Sequence, residues 1–110
     1  MTIEQTGTVD IVNVDRDSGD LLLTVSDHLP WSEGEGQHLL LLQEKLNAYL
    51  GFIESGELVK RFPEASGRQI VINVVGKFPL SETAQAFFER AGTAIETAGF
   101  KLRFSLLRPN

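Results

Sequence analysis

Two periodicities divide the chain between them. Leu21, Leu23 and Val25 fall on one side of a two-residue repeat, with Leu22, Thr24 and Ser26 on the other, which predicts a strand. Residues 8–14 are also rich in β-branched side chains. There Val9 and Ile11 have one parity and Val12 and Val14 the other, so this strand has either a bulge or two partly covered faces. Between them, Asp15-Arg16-Asp17-Ser18-Gly19-Asp20 reads as a hairpin connection. A third strand is expected over 69–77, with Ile70, Ile72 and Val74 on one side and Val71, Asn73, Val75 and Lys77 on the other. The fourth alternates cleanly: Phe100, Leu102, Phe104 and Leu106 point inward, Lys101, Arg103 and Ser105 outward.

The second periodicity is helical. Leu39, Leu42, Leu46, Tyr49, Leu50 and Ile53 form one stripe, which Leu40 and Leu41 widen beyond what a single face needs. Ser32 and Glu35 fit a capping box that places the helix start near 33–37, and Gly56 suits a left-handed stop. Residues 57–62 allow a short helical turn that Pro63 ends. A second long helix is expected from the cap at Ser81 to the stop at Gly99, burying Ala84, Phe87, Phe88, Ala91, Ile95 and Ala98.

The resulting order is ββαβαβ. One-sided alternation in the strands and two amphipathic helices predict an α+β two-layer sandwich, with both helices on one face of a mixed four-stranded sheet. The strand–helix–strand unit at the C-terminal end should be parallel and right-handed. No repeat or linker interrupts the 110 residues, so 1–110 reads as a single globular domain, with about the first six residues expected to be disordered.

Several segments carry a resemblance. The stretch from His38 to Leu50, then Phe52-Ile53-Glu54-Ser55-Gly56, Val74 to Ser81, and Ala98 to Phe104 resemble an uncharacterised family of short bacterial proteins, across nearly the whole chain. The resemblance implies a free-standing bacterial protein of this fold. That family's domain has no assigned function, so it supplies no catalytic residue.

Composition narrows the chemistry. There is no cysteine, which removes disulfides, thiolate-bound zinc, iron–sulfur clusters and thiol nucleophiles. The net charge of −5 disfavours nucleic acid and anionic membranes as partners. Residues 1–38 hold eight acids against Arg16 alone, whereas the remainder is slightly basic. This asymmetry marks either an interaction surface or simply the acids of turns and helix starts. The start lacks a basic and apolar leader, and no apolar run is long enough to span a bilayer. The expected location is the cytoplasm.

Candidate sites are few. Asp27, His28, Glu33, Glu35 and His38 are the one cluster of metal-ligand side chains, around Trp31, though without a recognised ligand spacing. The acidic hairpin turn departs from a calcium loop at its fifth, sixth and twelfth positions. Gly34-Glu35-Gly36 lacks the third glycine of a phosphate loop, and its glutamates would repel phosphate. No motif calls for a cofactor or a catalytic residue. Surplus apolar positions remain: Val71, Val75, Val12 and Val14 on the expected open sheet face, and Leu40 and Leu41 on the first helix. They mark either a protein contact or a surface covered by the 57–67 segment and the N-terminal residues. The reading is a non-enzymatic protein-interaction module, self-associating as a homodimer or binding another protein. The alternatives are an immunity- or antitoxin-like protein that masks a basic partner, and a divalent-metal or small-ligand domain using the 27–38 loop.

Overall fold

In the computed structural model, which describes residues 12–107, the chain runs β1 (Val12–Val14), β2 (Leu21–Asp27), α1 (Glu35–Glu54), α2 (Glu57–Arg61), a 3-10 turn (Pro63–Ala65), β3 (Ile70–Gly76), α3 (Glu82–Thr97) and β4 (Lys101–Leu106). The 8–11 part of the first strand and the expected N-terminal disorder lie outside the described residues. The sheet order is β1-β2-β3-β4, antiparallel at the hairpin and parallel thereafter. The fold is the expected α+β arrangement, with α2 as a third, short helix.

One row of the sheet makes the core. Leu21, Leu23 and Val25 stand beside Ile70, Ile72 and Val74, all at or below 9% exposure, and pack with Leu42, Leu46, Tyr49 and Ile53 of α1 and Ala84 and Ile95 of α3. Both long helices therefore cover the same face. That follows when successive parallel crossovers step in one direction with one hand. The Tyr49 hydroxyl donates to the Thr24 carbonyl at 3.1 Å and ties α1 to β2.

Three local expectations change. Val12 and Val14 lie opposite Leu23 and Leu21, so the antiparallel register turns them to the helix face; Asn13 takes the open one. The capping box does not form. Gly34 is the N-cap of α1 in the left-handed region (φ 63°) and no side chain caps it, so the chain enters the helix through a turn that Ser32 does not control. Leu106 has core parity yet is 38% exposed, because it ends an edge strand that has no neighbour on its outer flank among the described residues. The cap at Ser81, which accepts from the Ala84 amide at 3.1 Å, and the left-handed glycines at 56 and 99 are as expected.

Candidate functional site

Asp27 ends the core-facing row of β2, a carboxylate where Leu21, Leu23 and Val25 precede it. Its Oδ1 accepts the Leu29 amide at 3.1 Å, which turns the chain out of the strand. Its Oδ2 lies 2.6 Å from Nε2 of His38, in the opening turn of α1. Trp31, in the connecting loop, stacks on the imidazole with centroids 3.5 Å apart and planes at 16°. Asp27, His38 and Trp31 are 3%, 2% and 7% exposed.

The pair sits at the C-terminal edge of parallel strands, where open α/β sheets most often bind ligands. Gly76 is opposite Asp27 in register, and a Cβ there would come within 2.6 Å of the Phe104 ring. The Lys77 amide donates to the Asp27 carbonyl at 2.9 Å. A carboxylate that orients an imidazole is half of a general-base arrangement, whose other ring nitrogen must face the reactant. Here Nδ1 is buried and has no hydrogen-bond partner, and the indole lies over the ring. As arranged, the pair fastens the 28–34 loop and the start of α1 to the sheet.

The five sequence candidates therefore separate. Asp27 and His38 meet; His28 and Glu33 are exposed and Glu35 half-buried, and among the described residues no three His, Asp or Glu side chains gather as a metal site. The early acids also divide. Asp15, Asp17 and Asp20 lie at the start of β2 and Glu33 and Glu35 beyond its end, about 20 Å apart by strand rise, so they do not form one acidic patch. In the turn, the Asp17 amide donates to Asp15 Oδ1 at 3.0 Å, which holds the Asp15 carboxyl below its ordinary range. Arg68 clamps that turn, donating to the Gly19 carbonyl and to the Glu64 carbonyl, both at 2.8 Å.

The interaction candidates fare unequally. On the open sheet face Val71 is only 4% exposed within the single chain, and Val75 is half-buried beside Ser26 and Ser105. Leu41 packs against the core; Leu40 points away from it at 48% exposure. Sequence reading did not single out the groove of ≈ 440 Å³ between α1 and α3, lined by Leu46, Leu50, Phe87, Ala91 and Ile95 with Arg90 at its charged edge. The signal was present in the stripes of small and large apolar residues on both helices. Their separation in space was not.

Fold and site together define a small two-layer α+β domain, with a sealed Asp–His pair at one sheet edge and an apolar groove across its helical face. No helix among the described residues is long and apolar enough to cross a membrane. The chain belongs to a family of unknown function, DUF6572, whose model matches residues 1–108. No curated protein and no solved structure matches it.

Proposed function

We propose that this chain is a non-catalytic protein-binding domain that takes an apolar segment of a partner into the α1–α3 groove. The groove itself carries the reading. Aliphatic and aromatic side chains floor it, the polar groups at its margin are Gln43, Asn47 and Arg90, and none of these forms an acid–base pair. An amphipathic helix with apolar residues at helical spacing, and a carboxylate placed for Arg90, has the matching chemistry. The sealed Asp27–His38 pair supports the same view, since it offers its imidazole to no reactant in this arrangement.

The test compares the native chain with Ala94→Arg, which fills the groove from an exposed wall position. The native chain should retain a stoichiometric partner from its own cell extract, and the purified pair should lose affinity about tenfold or more on substitution, a loss of roughly 1.4 kcal/mol. Equal binding by the variant, or no stoichiometric partner, counts against the proposal.

A further inference from the structure

Among the described residues the outer flank of β4 is a free sheet edge, since β4 is the last strand there and pairs only with β3. The direction of its main-chain groups follows from one bond and the register. The Leu107 amide donates to the Gly76 carbonyl at 2.7 Å, and Gly76 pairs with Leu106. In a parallel ladder alternate residues bond to the same neighbour, so 101, 103, 105 and 107 turn toward β3. Leu102, Phe104 and Leu106 present their N–H and C=O groups outward.

Charged side chains on an edge strand ordinarily discourage pairing. Here one of the two cations is drawn inward. Arg103 donates through Nε to Asn73 Oδ1 at 3.3 Å, and the Ser105 hydroxyl donates to the same oxygen at 3.1 Å. Both side chains thus lean over β3 and away from the flank. At the far end of the strand, Leu106 and Leu107 are 38% and 58% exposed.

From this we infer that β4 pairs antiparallel with β4 of a second copy, on a two-fold axis at Phe104. This register matches every outward residue with an outward residue: Leu102 with Leu106 of the second copy, Phe104 with its counterpart, and Leu106 with Leu102. On the open face it sets Arg103 opposite Ser105 and Lys101 opposite Leu107. An axis at Leu102 would oppose Lys101 to Arg103, and one at Arg103 would oppose that residue to itself; both bring like charges together. An axis at Ser105 or Leu106 shortens the overlap. The favoured register sets Leu106 and Leu107, the exposed apolar end of β4, opposite Leu102 and Lys101 of the second copy.

The pairing extends the sheet to eight strands and keeps all the long helices on one face, since an axis through a continuous antiparallel pair is perpendicular to the sheet. The two α1–α3 grooves then open on the same side, and a partner with two apolar segments would engage both at once. The dimer does not depend on the groove reading, and the groove does not require the dimer.

The full chain should reach twice its monomer mass in sedimentation as concentration rises to about 1 mM. Amide exchange then reads the register. Leu102, Phe104 and Leu106 should gain about tenfold protection or more between dilute and concentrated samples, while Arg103 and Ser105, bonded to β3 in either state, should not change. Leu106→Pro removes an outward N–H without breaking the β3 ladder, as an edge strand tolerates, and should stay monomeric. Ala94→Arg should dimerise like the native chain, which separates this surface from the groove. A monomer at every concentration, or a dimer that protects other amides, overturns the inference. The exchange pattern of the native chain decides the matter even where Leu106→Pro fails to fold.

Discussion

Removing His38 should be costlier than removing Asp27, and removing both should be cheaper than removing His38 alone. The two side chains meet at 2.6 Å and are each 2% exposed, so solvent replaces neither partner. His38→Phe keeps a flat ring against Trp31 but leaves the Asp27 carboxylate with only the Leu29 amide, and breaking a buried pair in this way costs about 3–5 kcal/mol. Asp27→Leu leaves the imidazole with both nitrogens unpartnered and frees the Leu29 amide, a cost of about 1–3 kcal/mol. The double variant replaces the whole pair by apolar groups, so no carboxylate is stranded. Its cost should therefore fall below that of His38→Phe alone, and so below the sum of the singles by more than the Asp27→Leu cost. A domain of this size has roughly 5–15 kcal/mol of total stability, so these costs are a large and measurable share of it. Urea denaturation followed through Trp31, the single tryptophan of the chain, reads both global unfolding and the stack on His38. A cost under about 1 kcal/mol for His38→Phe, or strict additivity in the double variant, would refute the view of the pair as a desolvated anchor.

Three further outcomes follow from local geometry. Gly76→Ala drives a methyl against the Phe104 ring, which must shift, and chemical denaturation should show a loss of about 1–3 kcal/mol. Ser81→Ala removes the hydroxyl that accepts the Ala84 amide; helix content should survive, with a loss of about 1 kcal/mol in the same assay. Asp15 should titrate below 3.8 by NMR because the Asp17 amide donates to its charged form. A lowered folded value means that the stabilisation is present above the unfolded value and is lost as pH falls through the folded one. Asp15→Asn keeps an acceptor for that amide and should remove this acid-side dependence, whereas an unchanged profile would assign it to another group.

Much of this molecule is written in its one-dimensional pattern. Alternation in β2 and β4, the helical stripes and the stops at Gly56 and Gly99 determined the element order, the two layers and the face that β2 and β4 bury, because these follow from backbone period and local sterics alone. The stripe predicted for α1 left out His38 and Lys45, whose polarity argued for the surface; both are buried, four and three residues from Leu42 and so on the same side of the helix. Lys45 is wholly buried, its ammonium 5.3 Å over the Tyr49 ring.

Tertiary structure decided the rest. Asp27 and His38 are eleven residues apart, and only the turn of the chain from the end of β2 into α1 closes that interval to a hydrogen bond. The parity of Val12 and Val14 was legible, but which face it meant depended on pairing with Leu23 and Leu21. Asp15, Asp17 and Asp20 belong to the same acidic stretch of sequence as Glu33 and Glu35, yet the two groups lie at opposite ends of a seven-residue strand in space. Periodicity specifies which side of an element is buried. Which buried sides meet, and which edges stay open, is settled only when the elements pack.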